Sequence, residues 1–575
     1  MNRRNFTFYD LLFGILIVIA FGFRVVFSGH WHLSEKEAAM VLSAASEPNT
    51  IYQVWTNFLF TFFKDSEFFA RILPVLFGTF IVGLPLLLRK HLGDGISLIL
   101  AIGLTFDPGL IALSKQAGPE IMAISAFLAF LIFLYEKKWI PAGIFLSIGL
   151  LSGYQFWIGT IAFFLCAGFA LLFQPKSQEN NTSDEVVLNL KAMFSGINWK
   201  ELFTSVGITL LIGGTLFFYR PQTLAGIASG IVDFFIRENP GFYSISVSSL
   251  LIGLVVSYGS LFVLGLLGSW KISASWRGFI WQWVLIVFIL ISVFPNRQLA
   301  DYIWMVLPLY YPAAKYLSEL KMKSNENQLI VFGGAIALSM LLLFSSYSLM
   351  HYINSVADPM NNSESLRYLL STIIAFVVFV LVIIIIGWGW SLDVSHDLFM
   401  YILVGGLLLF SFIPSMRSTG FGAVPQNLMW LRTTYFPDAD LFTKTITQLE
   451  QNRLKKAETL KIQLQGIESD SMLWELRKYD ISRKSPNYSG DVSNPDVIIS
   501  GIESAPQVSE NRMGQDLIFN SAASWSLMTT REYLDWALGA APLFSNQEGI
   551  VWADLYEGSL EVITEPLPDE NPLEQ

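Results

Sequence analysis

The residues with the richest chemistry lie early in the chain. His30 and His32 are separated by one residue, and Glu35 and Glu37 follow closely. Imidazoles and carboxylates at this spacing are a donor set for a divalent metal, and beside Trp31 the histidines equally suit a membrane interface. Asp107, next to Pro108, falls inside an apolar run. An ionisable group there marks either a functional site or the end of a bent helix. Cys166 is the one cysteine and sits in another apolar run, which excludes a disulfide framework or a thiolate metal site within one chain. Its plain reading is a small buried apolar residue. No Walker loop, GxSxG elbow, Gly-rich dinucleotide turn or HExxH helix occurs in the sequence.

The elements that must position these residues belong to a membrane. Of 575 residues 53% are hydrophobic and 14% charged, with 47 Phe and 17 Trp, which excludes a disordered or ordinary soluble chain. Apolar runs of about 20 residues recur over 11–414 and then stop, giving about thirteen predicted spans. Four of them lie at 121–135, 140–153, 202–218 and 303–320. Arg3 and Arg4 precede the first run, 11–27, and no small-residue cleavage site follows. This predicts an uncleaved anchor with a cytoplasmic N-terminus, in a multi-pass protein of the plasma membrane. An odd span count puts the tail on the opposite side. Loop charges agree, since Arg89, Lys90, Lys137, Lys138, Lys271 and Arg277 all fall in loops predicted cytoplasmic.

Residues 1–420 are therefore expected to form the membrane domain, with long outer loops at 28–67 and 220–246. The first contains an amphipathic stretch, 51–63, suited to an interfacial helix, and the second a helical stretch, 224–236. The inner loop 174–201 reads as a polar linker. From Phe421 onward the chain carries 12 Lys+Arg against 23 Asp+Glu, a net −11, and the first 420 residues are near neutral at +1. An acidic tail argues against nucleic acid and against docking on anionic lipid. Residues 421–565 read as a soluble α/β domain: strands at 460–465 and 495–501 flank a helix at 470–479, which predicts a parallel pair. The region 510–541, with a helix at 530–538, and a strand at 549–553 complete the sheet, and 566–575 read as disordered.

Five blocks resemble the C-type (GT-C) glycosyltransferase superfamily, which includes protein O-mannosyltransferases, aminoarabinose transferases and oligosaccharyltransferases. The first is His30-Trp-His-Leu-Ser-Glu-Lys-Glu-Ala38, where the family has Asp-Glu before Ala. The second, Lys64-Asp-Ser-Glu-Phe-Phe-Ala-Arg-Ile-Leu-Pro-Val-Leu-Phe-Gly78, is the most specific. The third, Ser114-Lys-Gln-Ala-Gly-Pro-Glu120, stands in place of Ser-Arg-x-x-Arg-x-x-acid. The fourth, Arg297-Gln-Leu-Ala-Asp-Tyr302 running into Leu307-Pro308 and Pro312, is similar to a segment near the family's lipid-phosphate site. The fifth, Met472-Leu-Trp-Glu-Leu-Arg-Lys-Tyr479 followed by Pro495-Asp-Val-Ile-Ile499, resembles the outer domain of a flippase-associated prokaryotic subgroup.

The resemblance implies transfer of a sugar from a polyprenyl-phosphate carrier to a glycan, lipid or protein acceptor on the outer face of the cell envelope. It also implies an inverting mechanism with a carboxylate base and basic groups on the departing phosphate, with or without a divalent metal (Mg or Mn). Its candidate carboxylates here are Glu37, Glu35 and Glu120. Lys36 stands where the catalytic Asp would be, so either Glu35 or Glu37 acts from a shifted position or the protein is inactive. Arg297 leads the candidates for lipid phosphate, with Tyr302 in the same block and Arg71, Lys115, Arg220 and Arg237 behind it; Gly118 replaces the family's second basic residue. His30 and His32 remain the candidate metal ligands. The rival expectation is a non-catalytic GT-C membrane partner that binds or presents lipid-linked glycans. A secondary transporter would require matching broken spans in two halves, and none are seen.

Overall fold

The computed structural model describes residues 7–172, 185–236, 246–294, 297–324, 328–355, 362–421, 427–430, 434–454, 460–485, 495–502, 512–538 and 541–554. The chain forms two compact units, Met1–Phe27 with Asn49–Tyr52 and Ile72–Leu431, and Ser28–Pro48 with Gln53–Arg71 and Arg432–Gln575. The expected disordered segment 566–575 lies outside the described residues.

The helices are α1 (Phe8–Val25), α2 (Glu35–Ser46), α3 (Ile51–Phe62), α4 (Glu67–Leu92), α5 (Asp94–Thr105), α6 (Pro108–Ser114), α7 (Glu120–Tyr135), α8 (Trp139–Leu150), α9 (Tyr154–Leu172), α10 (Glu185–Phe194), α11 (Trp199–Ile208), α12 (Gly226–Phe235), α13 (Val247–Ser269), α14 (Ala274–Val293), α15 (Ile303–Val306), α16 (Tyr310–Ser318), α17 (Gln328–Ser355), α18 (Asn362–Gly389), α19 (Leu392–Thr419), α20 (Ala439–Leu454), α21 (Asp470–Leu476) and α22 (Thr530–Leu538). Among the described residues eight helices are long and apolar enough to cross a membrane, nine if the bent pair α5 and α6 is one span. The protein is a helical, multi-pass membrane protein with a C-terminal sheet region.

The count of full-length helices falls below thirteen because several apolar runs break. At 202–218 the α-helix stops at Ile208, passes through a π-helical turn, Thr209–Gly214, and reaches positive φ at Leu216, Phe217 and Phe218. The Thr215 hydroxyl bonds back to the Leu211 carbonyl there, a competitor for the helical ladder. At 303–320, Pro308 lacks a donor and sits in a 3₁₀ turn, Leu307–Leu309, between α15 and α16. The runs at 121–135 and 140–153 form the shorter helices α7 and α8. Of the expected polar linker 174–201, residues 174–184 lie outside the described residues, and over the rest the reading is corrected: α10 buries Val186, Val187, Leu190 and Met193, a helical i, i+1, i+4, i+7 face.

In the membrane unit, α5 and α6 meet at 56°. Pro108 opens α6 at a position that needs no donor, and Asp107 caps it by accepting from Leu110 N at 2.6 Å. At the crossing of α13 and α16, a Cβ at Gly268 would overlap the Pro312 carbonyl. Among the described residues, the apolar side chains of α18 are largely exposed, as expected for a helix solvated by lipid.

The second unit carries a five-stranded sheet, β1 (Lys461–Gln465), β2 (Asp480–Lys484), β3 (Val497–Gly501), β4 (Arg512–Ala523) and β5 (Phe544–Asp554), in the order β2-β1-β3-β5-β4. Strand β1 pairs in parallel with β2 and β3, and β5 runs antiparallel to β3 and β4. The core joins Phe442, Ile446, Ile462, Leu464, Leu473 and Val497, and Leu42 of α2 packs against it. The early segment 28–48 is thus part of the same folded body as the tail.

Candidate functional site

The two carboxylates of α2 have structural partners. Glu37 closes a capping box on Ser34, accepting from its backbone N and its hydroxyl at 3.0 Å each. Arg71 donates from Nε and Nη2 to the two Glu37 oxygens, both at 2.9 Å, and Arg71 and Glu37 are 2% and 4% exposed. Four donors reach Glu37, three of them on Oε2 and one on Oε1. Glu35 is equally occupied. One oxygen accepts from Asp470 N, and the other from Ser469 Oγ (3.0 Å), Ser471 N (3.1 Å) and Ser471 Oγ (2.8 Å) at the start of α21. Burial, with the Glu35 carboxylate close by, raises the Asp470 carboxyl above its ordinary range.

His32 faces Glu475 through Nδ1 and Asp440 through Nε2, each at 3.0 Å. The Glu475 carboxylate, then that of Asp440, stabilise the imidazolium against the opposing effect of burial and lift its pKa from 6.5 to about 9. Both nitrogens of His32 are thus engaged with carboxylates, and Glu35 and Glu37 are each bonded to protein donors. No group of three or more His, Cys, Asp or Glu side chains suited to an ion is present among the described residues, and that includes His30 and His32.

In the membrane unit, Lys115 is buried and donates to the carbonyls of Val26 and Thr419, the latter at 2.6 Å. It ties chain segments together at the position expected to hold a lipid-phosphate contact. Glu120 is 4% exposed on the first turn of α7, and its carboxylate folds back so closely that a Cβ at Gly118 would collide with it. Arg220 lies against the Tyr219 ring, 5.1 Å from its centroid. Arg237 is outside the described residues.

Asp107 is 1% exposed. It accepts from Tyr258 (3.0 Å), Tyr310 (2.6 Å) and Leu110 N, and lies within electrostatic range of Arg24. Arg24, fully buried on α1, donates to Ser114 Oγ at 3.2 Å and to the carbonyls of Ala20 and Leu104. Sequence reasoning missed Arg24, although a lone charge inside the run 11–27 was a sufficient signal. The tyrosines carried no such signal.

The segment 297–310 is the other polar concentration. Arg297 Nη1 donates to the carbonyls of Ser292 (3.1 Å) and Phe294 (3.0 Å). Tyr302 is fully buried with its hydroxyl 3.1 Å from Ser292 Oγ. Asp301, also missed, is fully buried and accepts from Gln298 N (3.0 Å) and Gln155 Nε2 (2.5 Å). Gln155 in turn accepts from Trp304 Nε1 at 3.0 Å. Beyond them Trp304, Pro308 and Tyr310 join Leu84, Leu100 and Phe127 around an apolar groove of about 280 Å³.

No protein-family model matches the chain, and no curated protein matches its sequence. Solved structures do. ArnT from Cupriavidus metallidurans bound to undecaprenyl phosphate is 13% identical with a TM-score of 0.48, covering 94% of this chain and 97% of that one. The Archaeoglobus fulgidus oligosaccharyltransferase in its apo form is 12% identical with a TM-score of 0.43, covering 86% and 70%. The same oligosaccharyltransferase in complex with Zn and sulfate is 12% identical with a TM-score of 0.40, covering 86% and 68%.

Proposed function

We propose that this chain is a glycosyltransferase of the C-type kind, which takes a sugar from a polyprenyl-phosphate carrier on the outer face of the plasma membrane and delivers it to an envelope glycan, lipid or protein. The observation that carries the reading is the segment 297–310. It places a guanidinium, Arg297, at one end and the walls of an apolar groove, Trp304, Pro308 and Tyr310, at the other. A polyprenyl phosphate has the same polarity, an anionic head on a long hydrocarbon chain. Arg297 holds the phosphate and stabilises the charge that develops on it as the glycosidic bond breaks.

The acceptor's proton goes to a carboxylate. We assign it to Glu120, the acid of the block 114–120, since Glu35 and Glu37 are bonded to the donors that fix α21 and the start of α2. Glu37 and Arg71 fix the start of α2, and Glu35 fixes α21. The N-terminus is assigned to the cytoplasm and the sheet-bearing tail to the outer side, in keeping with the loop charges.

A second reading, a non-catalytic partner that binds lipid-linked glycans, is favoured by Lys36 at the family's catalytic position and by the protein donors already bonded to its two neighbours. Transfer of radiolabelled sugar from polyprenyl-phosphate donors by the full chain in bilayers separates the two. Transfer by the wild type that falls about 10²- to 10⁴-fold in Glu120→Gln, with donor binding weakened in Arg297→Ala, supports the enzyme. Donor binding with no transfer across a broad panel of donors and acceptors establishes the partner instead.

A further inference from the structure

The apolar groove has two polar suspensions behind its aromatic walls. The Tyr310 hydroxyl donates to Asp107 at 2.6 Å, and the Trp304 indole donates to Gln155, which is itself bonded to Asp301. Both carboxylates are buried, at 1% exposure or less. Burying a carboxylate in a membrane helix bundle is expensive, and Phe in place of Tyr310 or Trp304 would pack the same wall without it. The hydrogen bonds add a fixed direction for each ring.

Two glycines leave room for that direction. A Cβ at Gly103 would stand 2.8 Å from the Tyr310 ring, and a Cβ at Gly159 would stand 2.5 Å from the Trp304 ring. Each ring therefore lies back against a helix where that helix has no side chain to push it forward, and a hydrogen bond from the Tyr310 hydroxyl or the Trp304 pyrrole N–H holds it there. The Trp283 indole also fixes the backbone of Trp304, donating to its carbonyl at 2.6 Å.

We propose that Gly103 and Gly159, with Asp107 and the Gln155–Asp301 pair, are positioning residues that hold Tyr310 and Trp304 back and so set the width of the groove for a methyl-branched prenyl chain rather than a slimmer straight alkyl chain. The proposal rests on the reading that this groove takes the carrier's hydrocarbon. A prenyl chain bears a methyl branch on every repeat and needs the wider slot. Rings pushed forward narrow the slot and penalise the branches first, because packed interiors yield little to added volume.

The test measures binding of undecaprenyl phosphate and of a saturated straight-chain alkyl phosphate to the full chain in nanodiscs of defined phospholipid. The proteins are the wild type, Gly103→Ala, Gly159→Ala, the double variant Gly103→Ala with Tyr310→Leu, and Gly278→Ala, whose added methyl meets nothing within 4 Å. The expected result is a loss of about tenfold or more in prenyl-phosphate affinity for either single variant, with alkyl-phosphate affinity kept. Recovery in the double variant is also expected, with no change in Gly278→Ala. Recovery separates groove width from general damage, and Gly159→Ala is an independent route if Gly103→Ala misfolds. Wild-type prenyl binding that the glycine variants leave unchanged, or weaken equally for both lipids without recovery, overturns the width proposal and leaves the function standing. A wild type that binds no prenyl phosphate overturns both.

Discussion

Arg71 and Glu37 are joined as a fork, Nε to one carboxylate oxygen and Nη2 to the other, with Nη1 held by the carbonyls of Ser28 at 2.8 Å and Trp31 at 2.7 Å. Lysine cannot reproduce this geometry, having a single nitrogen in place of the planar fork. The pair fixes the turn that leads from α1 into α2.

Removing one member strands a buried charge. Arg71→Ala or Glu37→Ala should therefore lower stability by about 3–5 kcal/mol, and Arg71→Lys should rescue little of it. Thermal unfolding of the reconstituted protein, followed by tryptophan fluorescence, measures this. A loss below about 1 kcal/mol would show that the pair behaves as an exposed one.

His32 makes the second unit sensitive to alkaline pH. Its folded pKa of about 9 lies above the ordinary 6.5, so the protonated ring is favoured by folding. The stabilisation is fully present below pH 6.5 and is lost as pH rises through about 9. Wild type should exceed His32→Gln in melting temperature at pH 6, with the gap closing by pH 10. A gap that widens with pH contradicts the arrangement with Glu475 and Asp440.

Glu35 holds the start of α21 through the amides of Asp470 and Ser471. Glu35→Ala should destabilise this end by about 0.5–2 kcal/mol, the range for loss of a helix cap. Hydrogen exchange at those two amides should speed up accordingly, while amides in the core strand β3 keep their protection. Unchanged exchange at Asp470 and Ser471 would remove Glu35 from this role.

Gly268 is where α13 and α16 approach most tightly, because a methyl there meets the Pro312 backbone and no side chain can swing away. Gly268→Ala should cost about 1–3 kcal/mol. Gly278→Ala, in open space on α14, should be neutral or gain a few tenths of a kcal/mol from helix propensity of about 0.5–1. Paired melting curves decide it, and equal effects of the two substitutions would contradict the close crossing.

Length and apolarity made the long membrane helices readable, and buried runs made β1 and β3 readable in their parallel order. Strand β2, Asp480–Lys484, is an exposed edge with charged residues at three of its five positions, so nothing in its pattern separates it from a loop. Strand β4 is half exposed along twelve residues, and its pairing with β5 is a tertiary fact. Breaks at Pro308 and Asp107-Pro108 follow from proline's missing donor and were open to reading. The carboxylates Glu35 and Glu37 were recognised as notable, but their occupation was not. Ser471 lies 436 positions from Glu35, and no spacing rule reaches that far. Arg71, 34 positions from Glu37, is likewise a partner that only folding reveals.

The second unit is assembled from both ends of the chain, and roughly 360 residues, Ile72–Leu431, lie between its pieces. At a synthesis rate of about 5–20 residues per second, the ribosome needs tens of seconds to deliver the partners of His32 and Glu35 after those residues emerge. During that interval the side chains of His32 and Glu35 are without these partners. The same arrangement acts as a completeness check, since a chain truncated before α20 leaves the early segment without its partners and open to proteolysis.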